Sequence, residues 1–158
     1  MGIDISPAML KIAENDPPFK SEITINKIEL INVDFLKLND IGNFDFIYSI
    51  GVIGEHIPFN KKVVSKVQEF LKPNGIFVFT CVCWFHRSFK RRVINQLFEI
   101  LGDPISDIGC KMKVYKNFFV HDSLIIKLLN NYFEILDFRI WNTKYPHYLV
   151  SAKKRFIK

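Results

Sequence analysis

Two nearly continuous apolar runs, Phe44–Ile50 and Ile76–Val82, bracket an amphipathic segment from Asn60 to Leu71. Each run has the length of a strand, and unbroken apolar character is what a strand buried on both faces requires. Between them Val63, Val64, Val67, Phe70 and Leu71 recur at helical spacing. A strand, a helix and a second strand in that order form a right-handed crossover in a parallel sheet. Lys72-Pro73-Asn74-Gly75 reads as the turn that ends the helix and launches the second strand.

The remaining pattern extends this plan. Met1–Ile5 reads as the last residues of a strand, and Ser6-Pro7 as an N-cap with proline in the first helical turn. Met9, Leu10, Ile12 and Ala13 then follow at helical spacing, until Asp16-Pro17-Pro18 stops the helix. Ile28–Val33 is a short strand. Residues 88–101 read as helical, and His121–Asn131 as a helix with Leu124, Ile125, Leu128 and Leu129 inward. Phe133–Trp141 and His147–Ala152 are two strands joined by a connection near Pro146 that is too short for a crossover, so they pair antiparallel. The expected fold is α/β and doubly wound, its sheet mainly parallel with an antiparallel last strand. We expect a single domain over residues 1–158, with residues 83–120 as a variable, lid-like insert.

Composition narrows the class. With 158 residues, 49% hydrophobic, the chain suits one ordinary domain with its own core. The longest apolar stretch, Ile76–Phe85, is ten residues with one Thr, and a membrane span needs about 20. No membrane span is therefore expected. Neither is a secretory signal, and Cys81, Cys83 and Cys110 read as reduced thiols of a cytoplasmic protein with no metal-ligand spacing. Charge is uneven: residues 1–83 carry 8 Lys against 10 acids, residues 84–158 carry 14 basic groups against 6 acids. Such a basic half suits either a solvated face or contact with nucleic acid.

In a doubly wound sheet, ligands sit at the carboxyl ends of the strands. Asp4 with Ile5, Asp34 with Phe35, Ser49–Gly51 and Cys81–Cys83 fall there. A carboxylate at a strand end can accept hydrogen bonds from a vicinal diol through both oxygens, and an adjacent apolar residue can cover a flat base. Either Asp alone is also explained as the cap of a turn or helix start. The pair, at matching topological positions, points to a nucleoside.

The segment Gly2-Ile3-Asp4-Ile5-Ser6-Pro7-Ala8-Met9-Leu10 resembles the second-strand motif of class I S-adenosylmethionine (SAM)-dependent methyltransferases. Asn32-Val33-Asp34-Phe35 resembles their third motif. Phe44–Ser49 through Glu55-His56-Ile57 is similar to the fourth-strand segment of the small-molecule branch called type 11. Phe70–Phe79 is similar to the stretch before and within the fifth strand, with Pro-Asn-Gly where Pro-Gly-Gly is commoner. The resemblance implies a Rossmann-like sheet with SAM as cofactor. It implies that Asp4 holds the ribose hydroxyls, Ile5 lines the adenine and Met9 covers the ring's other side. By the same resemblance Asp34 takes the adenine amine, the Phe35 amide takes the ring nitrogen, and Ser49, Ile50 and Gly51 lie beside the methionine portion.

The family's first strand and its glycine-rich loop have no counterpart here, since the chain begins within the second strand and contains no Gly-x-Gly. The expectation is an N-terminally truncated form that binds SAM weakly or not at all by itself, with an upstream fragment as a possible source of the missing strand. The implied reaction is an in-line displacement of the sulfonium methyl by a small-molecule acceptor, in which the protein mainly aligns the reactants. His56 is the nearest candidate general base, although a capping or packing role at a helix entry explains it better. Within the insert, Trp84, Phe85, His86, Phe89, Tyr115, Phe118 and Phe119 suit a flat acceptor. Arg87, Lys90, Arg91 and Arg92 interleave with them, so an RNA-binding or RNA-methylating module is the rival reading, with a non-catalytic remnant the third.

Overall fold

The computed structural model describes residues 1–15, 28–39, 41–83, 120–141 and 146–156. The chain divides into two compact units, Met1–Gly42 and Asn43–Lys158. The expected lid-like insert, with its basic and aromatic residues and the helix over 88–101, lies outside the described residues apart from its ends.

The first unit holds strand β1 (Gly2–Asp4), helix α1 (Pro7–Asn15), strand β2 (Leu30–Asn32) and a 3-10 turn over Phe35–Lys37. β1 and β2 pair in parallel with Gly2 opposite Leu30 and Asp4 opposite Asn32. The Asn32 side chain ties the end of the pair by donating to the Asp4 carbonyl at 3.0 Å. The helix starts as the sequence predicts: the Ser6 hydroxyl accepts from the Met9 amide at 3.4 Å, and proline occupies the first helical position, where no donor is needed. None of the α1 side chains is buried, and Leu38 is the unit's only fully buried apolar residue among those described.

The second unit holds β3 (Phe44–Ser49), α2 (Lys61–Phe70), β4 (Leu71–Val82), α3 (Asp122–Leu129), β5 (Phe133–Trp141) and β6 (His147–Lys154). Its sheet has the order β3-β4-β6-β5. β3 and β4 are parallel, and β6 runs antiparallel to both β4 and β5. Three strands therefore share one direction and the last alone is reversed, as expected. Among the described residues, β1 pairs only with β2 and β3 only with β4. The core is aromatic: Phe79 stacks on Phe77 at 4.6 Å and on Phe59 at 5.1 Å between ring centroids. Val63, Val64, Val67 and Phe70 of α2 and Ile125 and Leu129 of α3 are buried as well, with Phe133, Val150 and Ala152 from β5 and β6.

Three local expectations are corrected. Leu124 is 40% exposed rather than inward, because the short α3 turns only Ile125 and Leu129 fully into the core. β3 is not buried on both faces: Phe46 and Tyr48, two residues apart and so on one face, are 52% and 67% exposed. Their rings lie 6.0 Å apart along this open face. The predicted turn at Lys72–Gly75 lies within β4, where Phe44 faces Leu71 but Phe46 already faces Ile76. The extra residues bulge out through Asn74 at φ +65°.

Gly75 closes that bulge. A Cβ there would lie 2.9 Å from a Leu71 methyl, 3.0 Å from the Lys72 carbonyl oxygen and 3.1 Å from that of Phe44. Two of these three neighbours are backbone atoms, which cannot rotate away. Gly75→Ala is expected to cost about 1–3 kcal/mol of stability, read as a lower urea midpoint.

Cys81 and Cys83 are buried and unbonded on and just after β4. Burial, and secondarily the neighbouring Cys83, push the Cys81 thiol well above its ordinary value of 9.0. The unfolded chain releases this proton near the ordinary value while the folded chain keeps it. Stability is therefore fully present below pH 9 and is lost as pH rises further, by about 1.4 kcal/mol per pH unit. Urea titrations between about pH 7.5 and 10, below the range in which the likewise raised Tyr148 adds its own slope, should show this loss, and Cys81→Ala should reduce it.

Candidate functional site

The carboxyl ends of β1 and β2 carry the two expected carboxylates, both half-buried. Asp4 ends β1 and its Oδ1 accepts from the Ser6 amide at 2.8 Å. Asp34 lies two residues past β2 and its Oδ1 accepts from the Leu36 amide at 2.9 Å, opening the 3-10 turn at Phe35. Both therefore cap a turn, the alternative that sequence leaves open for each. The cap uses one oxygen only. Among the described residues neither Oδ2 has a partner, and an ionised carboxylate offers about four acceptor positions. A clamp that devotes both oxygens wholly to a diol is thus corrected to one in which Oδ2 is fully available and Oδ1 is shared with the backbone.

Apolar surface accompanies these carboxylates. Ile5, next to Asp4, is 71% exposed, and Met9 on the first turn of α1 is 53% exposed. Neither is spent on a core, so both are available to an apolar ligand. Phe35 is half-buried beside Asp34.

In the second unit, β3 ends at Ser49 and leads through the half-exposed Ile50 into Gly51, whose φ of +72° favours glycine. The Gly51 amide donates to the hydroxyl of Thr80 at 3.0 Å. Thr80, on β4, is 2% exposed and is the one fully buried polar residue among those described. Beyond Gly51 the chain folds on itself: the Val52 carbonyl accepts from the amides of Glu55, His56 and Ile57, and the Gly54 amide donates to the Ile57 carbonyl at 2.7 Å.

His56, the sequence's candidate base, sits exposed in this loop, and its ring has no partner among the described residues. The oriented histidine is His147 instead. Its Nε2 lies 2.8 Å from Oε1 of Glu55, with the two side chains 17% and 28% exposed. Sequence reasoning passed over both members, which stand 92 positions apart. The available signal was topological: β6 runs antiparallel, so its first residue, His147, lies opposite Val82 at the carboxyl end of β4. No group of three or more His, Cys, Asp or Glu that could hold a metal occurs among the described residues. No described helix is long and apolar enough to cross a membrane.

The chain is similar to several known proteins. A protein-lysine N-methyltransferase, efm4 of Schizosaccharomyces pombe, is 28% identical over 109 residues, which are 63% of this chain and 46% of that protein. The chain thus spans under half the length of this curated relative. A SAM-dependent methyltransferase from Methanosarcina mazei superposes with a TM-score of 0.67 at 17% identity, over 99% of this chain and 82% of its own. Another, from Clostridium acetobutylicum, gives 0.62 at 18% identity over 98% and 74%. Magnesium protoporphyrin IX methyltransferase of Synechocystis, solved with S-adenosylhomocysteine (SAH), gives 0.63 at 15% over 97% and 62%. These likenesses establish a Rossmann-like methyltransferase fold. The profile of the family described as a methyltransferase domain matches residues 1–151. Nearly the whole chain is covered by that match, and it belongs to the SAM-dependent methyltransferase-domain family.

Proposed function

We propose that this chain takes part in methyl transfer from SAM to a small-molecule acceptor. The observation that carries this reading is the pair of turn-capping carboxylates, Asp4 and Asp34, each with Oδ2 unpartnered among the described residues and accompanied by the exposed Ile5. Asp4 Oδ2 accepts from the ribose hydroxyls and Asp34 Oδ2 from the adenine amine. Ile5 and Met9 supply apolar contact to the base, and the Phe35 amide donates to a ring nitrogen. The likeness of the segment around Ser49, Ile50 and Gly51 to the family's fourth-strand motif assigns these residues to the methionine portion. The cofactor supplies an activated sulfonium methyl, so these residues have to bind, orient and exclude water rather than activate a leaving group. The acceptor attacks opposite the C–S bond, gains the methyl group and gives up its proton, and SAH is released. Affinity for the cofactor is expected to be weak in these 158 residues, which contain no Gly-x-Gly loop.

A second reading, methylation of a protein lysine, is favoured by the relationship to the yeast lysine methyltransferase. Incubation with methyl-labelled SAM separates the two. One arm offers a panel of small amines, hydroxyls and carboxylates, the other lysine-containing polypeptides. Label in a small molecule alone supports the first reading, and label in polypeptide alone replaces it with the second. No label in either arm, with no SAH binding, removes both.

A further inference from the structure

The loop that follows β3 is fastened to the rest of its unit in two ways, and both fasteners are polar groups reaching from neighbouring strands. At its start the Gly51 amide donates to Thr80 on β4. At its far turn the Glu55 carboxylate meets the His147 ring at the first residue of β6. Glu55 also folds back over the start of the loop, since a Cβ built on Gly51 would lie 4.0 Å from Glu55 Oε1. Between them Ile53 is 2% exposed and acts as an apolar plug. The loop's own hydrogen bonds shape it internally, but they do not attach it to the sheet. The Glu55–His147 contact does, and it does so beside the glycine whose backbone follows the strand end.

We propose that Glu55 and His147 form a positioning pair for cofactor binding. Their contact holds the segment Gly51–Ile57 in one conformation and thereby sets the backbone at Ile50 and Gly51. The inference rests on the assignment of Ser49–Gly51 to the cofactor's methionine side. It adds two residues that touch no ligand atom in this account and act through the loop. A half-buried carboxylate–imidazole contact is a charge-assisted hydrogen bond, stronger than a neutral one and less screened than a surface pair. Losing it releases the loop into several conformations, of which one binds.

The test compares the full chain with Glu55→Ala, His147→Ala, the double variant and Glu55→Gln. SAH affinity and amide hydrogen exchange across residues 51–57 are measured for each, with thermal unfolding as the folding control. Each alanine variant should bind SAH about fivefold more weakly, the loss expected for one hydrogen bond. Both should exchange faster at Glu55 and His56. The double variant should bind no worse than the weaker-binding single, because the contact between Glu55 and His147 is already lost in each. Glu55→Gln, which keeps an acceptor oxygen, should recover part of the affinity. Unchanged SAH affinity in both single variants, or losses that add in the double, would overturn the pair. If the parent chain shows no SAH binding, the cofactor assignment fails, and exchange alone judges the loop. Faster exchange at Glu55 and His56 in both singles then keeps the fastening role, and unaltered exchange removes it.

Discussion

Phe79→Ala is expected to lower stability by about 3–5 kcal/mol, the range for deleting a fully buried aromatic ring. Phe79 has no solvent exposure and stacks on both Phe77 and Phe59. It joins two strands in register, opposite Ser49 on β3 and Val150 on β6. Truncation leaves a cavity with aromatic walls held by α2 and the sheet, which limits collapse. Domains of this size have about 5–15 kcal/mol in total, so the variant should unfold at a far lower urea concentration than the parent. Phe79→Leu, which keeps most of the volume, should lose much less. A loss under about 1 kcal/mol for the alanine variant would show that the core does not centre on this ring.

Much of the second unit was legible because its signals are local. Apolar runs over Phe44–Ile50 and Ile76–Val82, with helical spacing between Val63 and Phe70, place β3, α2 and the end of β4 close to where they lie, while β4 starts earlier, at Leu71. The reversed last strand followed from the short connection at Pro146, since so few residues cannot cross over a sheet. What failed depends on facts that no window of sequence contains. Phe46 and Tyr48 look as apolar as Val78 or Phe79, and only the tertiary arrangement decides that their face stays open. The same holds for Leu124 beside Ile125. The Lys72–Gly75 bulge is a turn by composition and a strand segment by pairing, so both descriptions capture part of it. At the site, Asp4 and Asp34 could be found because each ends a strand. The Glu55–His147 pair was not, since it also depends on how the loop after β3 folds back, which no stretch of sequence displays. His56 was preferred for its nearness to β3 in sequence, yet it is its neighbour Glu55 that reaches back to the sheet.

Asp4→Ala is expected to weaken SAH binding about tenfold or more, because a charged acceptor contributes roughly 1.5–3 kcal/mol for each hydrogen bond it makes. This carboxylate has two functions that one substitution cannot separate. Its Oδ1 accepts from the Ser6 amide and so shapes the entry to α1, while Oδ2 is left for a ligand. Alanine removes both. Asparagine keeps a carbonyl oxygen for Ser6 and replaces the second acceptor by an amide donor, which would face the ribose hydroxyls without a charge. Asp4→Asn should therefore preserve the thermal midpoint while losing most of the SAH affinity that alanine loses. Calorimetry, or ligand-observed NMR where affinity is millimolar, reads the binding, and thermal unfolding reads the cap. If both variants bind SAH as the parent does, Asp4 is a cap and nothing more, and the nucleoside reading of β1 falls with it. If alanine weakens binding and asparagine does not, the helix entry matters and the charge does not. Loss of affinity in both, with the midpoint kept only in asparagine, assigns the free oxygen to the ligand and the bonded one to the fold.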